Sequence, residues 1–192
     1  MKTLLLALFL AFSLPSLAAD EKKSEPAKPP ASDNTYDQDS VLQDAEKFFG
    51  KNTEGLAKVI EKAFKDHGRP VGFIRGEEAS AALTVGLRYG DGTLVMKSGS
   101  QKVFWSGPSI GFDAGANLSK VYVLVYHLDK PQSIFQRFPG VDGSLYFVGG
   151  VGMNYQQRDK VVLAPIRLGV GFRAGASVGY MNYTPKKTYI PF

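Results

Sequence analysis

Few residues of this chain are of a type that does covalent chemistry. Its 192 residues include no cysteine and two histidines, which removes thiol nucleophiles, disulfides, thiolate metal sites and an all-imidazole metal centre. His127 and Asp129 lie two apart at the end of an apolar run and could orient one another as a general base and its support, but no activated nucleophile accompanies them. Glu77 and Glu78 are adjacent. On a strand, adjacent side chains leave opposite faces, so the two cannot converge as a paired acid and base. Gly169-Val170-Gly171 with Gly175 has part of a dinucleotide fingerprint, yet the two-residue alternation runs on where a helix would have to begin. No phosphate-cradling G-x-x-x-x-G-K-[ST] loop occurs, and the two G-x-S-x-G matches, Gly107 to Gly111 and Gly175 to Gly179, lie within the two-residue alternation and not at the strand-to-helix turn of a nucleophile elbow. The chain reads as a non-enzyme with no cofactor and no metal site.

What remains is charge that could bind. Lys58, Lys62, Lys65 and Arg69 recur at three- and four-residue spacing, which on a helix makes a basic stripe able to lie on anionic headgroups. The same lysines would equally suit an ordinary surface helix with its cations in water. Arg167 and Arg173 fall on the glycine-bearing side of the last long alternating run. There a bare backbone would leave a shallow trough for an anionic group, or the two arginines are simply solvated.

The stripe needs a helix to carry it. Val41, Leu42, Ala45, Phe48 and Phe49 recur at helical spacing, with Ser40 and Gln43 in the form of a capping box and Gly50 as a stop. A second helix opens near Asn52 or Thr53, sets Leu56, Val59, Ile60, Ala63 and Phe64 on one side, and stops at Gly68 with Pro70 beyond. The helical segment spans 40–68.

From residue 69 to 192 the period is two. Nineteen of the 21 glycines lie between Gly68 and Gly179, interleaved with apolar residues, which is the pattern of strands. Ile166, Leu168, Val170 and Phe172 alternate with Arg167, Gly169, Gly171 and Arg173, and Leu145 to Met153 reads as another strand. Tyr89-Gly90-Asp91-Gly92, Ser106-Gly107-Pro108, Asp129-Lys130-Pro131 and Gln157-Arg158-Asp159 carry turn chemistry. About seven to ten short strands without intervening helices predict an all-β antiparallel sheet, and closure into a small barrel hides its edges. A sandwich satisfies the same alternation. Val121 to Leu128 is apolar or aromatic at nearly every position, so that strand must be covered on both faces, with the amphipathic helices as the cover. The barrel interior is either filled by its many aromatic residues or opens a pocket for an apolar ligand.

The amino-terminal residues read as an address. Lys2, the apolar run Leu4 to Leu14 and the small residues before Asp20 have the form of a secretory signal peptide over 1–19. The apolar run is about half the ~20 residues of a bilayer-spanning helix. Residues 20–39 are acidic and Pro-rich, a composition that stays disordered. Behind this leader, eighteen basic residues face ten acidic ones from Lys51 onward, a net of +8. Basic charge among aromatics also suits single-stranded nucleic acid, but export removes that partner. The expectation is therefore a periplasmic protein whose partner is anionic lipid, lipopolysaccharide or an apolar ligand. An outer-membrane barrel ending at Phe192 is an alternative; Pro185 and Pro191 interrupt its last strand. An exported enzyme with an unrecognised site is another.

Gly76-Glu77-Glu78, Val85 through Gly92, Trp105-Ser106-Gly107-Pro108-Ser109-Ile110-Gly111-Phe112-Asp113 and the closing glycine-rich run resemble the EipA-type envelope integrity proteins of alphaproteobacteria. That resemblance implies a small, soluble periplasmic β-barrel associated with envelope stability, with no enzymatic role. More distantly, the Tyr-Gly-x-Gly and Pro-Ser-x-Gly segments are similar to the SYLF lipid-binding domain, which also sets helix before glycine-rich β structure.

Overall fold

The computed structural model describes residues 34–50, 53–82, 85–110, 113–169 and 179–188. The predicted signal segment, most of the acidic leader and Arg173 lie outside them.

Helix α1 is Gln38–Phe49 and α2 is Glu54–His67. The first cap is Asp37, whose carboxylate accepts from Ser40 N at 2.9 Å and from Ser40 Oγ at 2.8 Å. Ser40 is thus the third residue of the helix, not its cap, because a carboxylate three residues upstream satisfies the free amides better than a hydroxyl would. Gly50 closes α1 in the left-handed region at φ 70°. Thr53 caps α2 through Leu56 N at 3.1 Å, and Gly68 ends it.

Among the described residues ten strands follow: β1 Gly72–Ala82, β2 Val85–Met96, β3 Gly99–Ile110, β4 Asp113–Tyr126, β5 Arg137–Pro139, β6 Tyr146–Val148, β7 Val151–Met153, β8 Gln156–Arg158, β9 Val161–Leu168 and β10 Tyr180–Thr184. All pairings are antiparallel, in the order β5-β10-β3-β2-β1-β4-β9-β7-β6, with β8 also on β9. The curled sheet comes back on itself where Gly140, just past β5, bridges Gln156 of β8 and Val141 N donates to Tyr155 O at 2.9 Å. The expected barrel is the observed architecture.

Two apolar clusters lie on either side of this wall. Ile74, Leu94, Val103, Val123, Val125, Leu163 and Tyr183, from strands all round the sheet, fill the interior. Tyr122, Leu124, Tyr126, Val162, Ala164 and Ile166 face outward, under Val41, Leu56, Val59 and Ile60 of the helices. Val121 to Tyr126 is buried at every position, as its unbroken apolar run predicts, and the amphipathic helices are its cover. Gly55 seats α2 tightly there, since a Cβ would stand 2.5 Å from Val148 O.

Three expectations are corrected. Tyr89-Gly90-Asp91-Gly92 and Ser106-Gly107-Pro108 are not turns but the interiors of β2 and β3. Their glycines serve close packing: a Cβ on Gly90 would lie 2.2 Å from the Trp105 indole, and one on Gly76 2.5 Å from it. The turn joining β2 and β3 is Lys97-Ser98 instead. Leu145 to Met153 is not one strand but the hairpin β6–β7, because Gly149 and Gly150 both take positive φ.

Candidate functional site

The predicted basic stripe is real and its lysines face outward. Lys58, Lys62 and Lys65 surround, with Glu61 and Tyr146, a shallow surface depression of about 310 Å³. Their positions follow from the caps, which fix the phase of α2 so that Leu56, Val59, Ile60 and Ala63 are buried and the residues between them are left outside. Lys58 pairs with Glu54 and Lys62 with Asp66, each at 2.5 Å and each one turn away along the helix. Lys62 also stands 5.9 Å from the centre of the Tyr146 ring. Such exposed pairs contribute little to stability and exchange readily for another anion. Arg69 does not join the stripe: its Nε donates to Thr35 Oγ1 at 3.0 Å, which ties down the chain entering α1. The apolar side of α2 belongs to the domain's own core, so it has no free stripe to insert among acyl chains.

Arg167 requires a correction. It is 5% exposed, and it faces into the barrel. Val161 and Leu163 belong to the interior cluster, whereas Val162, Ala164 and Ile166 sit under the helices. Arg167 is in phase with the former. Its Nε donates to Glu78 Oε1 at 2.5 Å and its Nη2 to Glu78 Oε2 at 3.2 Å, so the guanidinium meets a carboxylate of the protein and not an external anion. The expectation assumed that the oily face of the last strand turns inward; with helices packed outside, that face turns outward and the polar one is enclosed.

Glu78 is the centre of this buried group. It comes from β1, Arg167 from β9, Arg88 from β2 and Trp105 from β3. Arg88 Nε lies 3.5 Å from Glu78 Oε1, and Trp105 Nε1 donates to Oε2 at 3.3 Å. Burial pushes the Glu78 carboxyl up, but the charges of Arg167 and Arg88 and the bonds from Arg167 and Trp105 outweigh it and hold the group below its ordinary 4.5. The ionised triad is a structural knot joining β2, β1 and β9. Glu77, by contrast, is exposed, so the two neighbouring glutamates diverge as strand geometry requires.

His127 and Asp129 do not form a catalytic pair. His127 takes φ 56° and its Nδ1 lies 3.2 Å from Lys160 O, while Asp129 Oδ2 accepts from Lys160 Nζ at 2.6 Å. Both hold the turn before β9. Among the described residues no cluster of histidine and carboxylate side chains could hold a metal ion, and no helix is long and apolar enough to cross a membrane.

The family model for envelope integrity protein A, EipA, matches residues 34–192. Among solved structures, the chain is similar to a β-barrel-like, uncharacterised protein from Brucella abortus, with 45% sequence identity and a TM-score of 0.77 over 83% of this chain and 99% of that one. No curated protein matches.

Proposed function

The chain belongs to the envelope integrity protein A family, and from that premise we propose that it is an exported, non-enzymatic support of the bacterial envelope that docks on anionic lipid or lipopolysaccharide through Lys58, Lys62 and Lys65. The observation that carries the reading is the disposition of α2, with its apolar side buried in the domain and its lysines outside around one depression. Contact of this kind is electrostatic and peripheral, with headgroups and not acyl chains as the ligand. The filled interior favours a surface role over storage of an apolar ligand within the barrel. Charged outward residues such as Glu77, Asp91, Lys102 and Lys120 favour a barrel in water over one embedded in the outer membrane, whose exterior would carry an apolar band. That no acid, base and nucleophile converge among the described residues supports the non-enzymatic part. The signal segment over 1–19 supports periplasmic placement.

Sedimentation with vesicles tests this. The mature protein is expected to pellet with phosphatidylglycerol-containing vesicles and lipopolysaccharide aggregates but not with pure phosphatidylcholine. Replacing Lys58, Lys62 and Lys65 together by Gln is expected to abolish pelleting, since each basic residue near an anionic surface contributes roughly 1 kcal/mol. Equal pelleting of the triple variant, or none by the parent, would overturn the proposal.

A further inference from the structure

A second concavity lies on the uncovered side of the barrel, away from the lysine stripe. It is a depression of about 230 Å³ on the outer faces of β1, β2, β3 and β10, overhung by residues 187 and 188. Successive rows of the sheet build it. Glu77, Asp91 and Phe104 share one row, and Ala79, Tyr89 and Ser106 the next. Trp105 contributes to its floor, with the indole on the interior side of the sheet behind Gly90.

Ser106 marks this place as unfinished. It is 2% exposed, lines the depression, and its Oγ has no hydrogen-bond partner among the described residues. A hydroxyl left in that state costs about 1–3 kcal/mol, which a ligand supplying the missing bond would recover. The surroundings select the ligand class. Phe104 and Tyr89 offer aromatic surface; Asp91 is paired with Lys102, which leaves Glu77 as the carboxylate acceptor and Lys187 as the cation of the lining. With these charges balanced, no excess of positive charge gathers phosphate or carboxylate, while a carboxylate accepts strongly from hydroxyl donors. The volume is below the ~300–1,000 Å³ of pockets for larger ligands, too small for an acyl chain and suited to one ring. We infer that this depression is a subsite for a neutral sugar ring, held by hydroxyl donation to Glu77, by the Ser106 hydroxyl and by aromatic contact with its C–H face.

Trp105 is the sole tryptophan of the chain, so its emission reports on this site. Titrating the mature protein with maltotriose and with chitotriose is expected to give a saturable change for at least one of them, with a Kd of ~1 mM or below. Glu77→Gln and Ser106→Ala are each expected to weaken it about tenfold, while the triple lysine variant binds as the parent does. Glu77 is exposed, so its substitution does not threaten folding and carries the test by itself should Ser106→Ala unfold. Absence of saturation with both sugars overturns the inference, as does an equal response in Glu77→Gln or tighter binding of anionic trigalacturonate than of the neutral trisaccharides. Because the lysine variant separates the two surfaces, failure here leaves the headgroup proposal standing.

Discussion

On β4 and β9 both faces of the strand are buried from Val121 to Tyr126 and from Val161 to Arg167, whereas on β1, β2 and β3 the outward positions Glu77, Asp91 and Lys102 stand in solvent. The strands are chemically different because their cover is different. Where helices lie outside, a strand must be apolar on both sides, and its pattern approaches a continuous run. Where water lies outside, alternation is clean. The helices are also held there by polar ties: Tyr122 Oη donates to Asp44 of α1 at 2.9 Å and Tyr155 Oη to Asp66 of α2 at 2.7 Å. The Glu78 knot ties β2, β1 and β9 together from within.

Breaking that knot is expected to cost most. Glu78→Ala leaves two guanidiniums enclosed without their carboxylate, a loss of about 3–5 kcal/mol in urea unfolding; a loss below 1 kcal/mol would show that water already reaches the pair. The sign with pH follows from the lowered carboxyl. The stabilisation it provides is complete above the ordinary 4.5 and is lost as pH falls from there through the folded-state value.

The comparison itself is sharpened by one truncation on each side. Ile60→Ala, beneath the helix and fully buried, is expected to cost about 2–5 kcal/mol, while Leu118→Ala, 71% exposed on the open side, stays within about 0.5 kcal/mol. Similar losses at both would mean that something covers the open face in solution.

The smallest effect concerns His67 at the end of α2, whose ring lies 5.3 Å from that of Tyr126 and 4.5 Å from that of Tyr155. Burial lowers its pKa below the ordinary 6.5, with His127 and Lys62 adding to the effect and Asp66 opposing it. The unfolded chain therefore takes up this proton first. Stability is expected to be level above pH 6.5 and to decline as pH falls below it, and His67→Gln should flatten that decline in urea midpoints measured between about pH 5 and 7. A slope unchanged by the substitution would place its origin elsewhere.

Much of this was legible from residues alone. Caps at Thr53, Gly50 and Gly68, the buried stripe of α2 and the double cover over Val121 to Tyr126 all follow from local chemistry and period. The alternation of β9 was legible too, but not which of its faces is inside. Periodicity fixes two faces and leaves their assignment to whatever packs outside, and here the helices reverse the simple expectation for Arg167. A signal for that existed: the run Val161 to Ile166 is apolar at every position, so the residue after it lies in a strand with two buried faces. The β2 and β3 glycines were misleading because Gly-rich tetrads mark turns and close packing alike, and only the distant Trp105 distinguishes the two. Glu78, invisible as a partner in the chain, shares the phase of Ile74 and Gly76 on β1, both of which point inward.

The place where the wall returns on itself sets how this molecule comes apart. Long ladders of eleven and twelve paired residues join β1, β2 and β3, but the circuit is completed by the Gly140 bridge and a neighbouring amide. Such a cylinder has a built-in seam. Opening is expected there before any long ladder frays, so the amide protons of Val141 and Tyr155 are expected to exchange with solvent ahead of those in β1 and β2, with the central strands and the helices packed on them still in place.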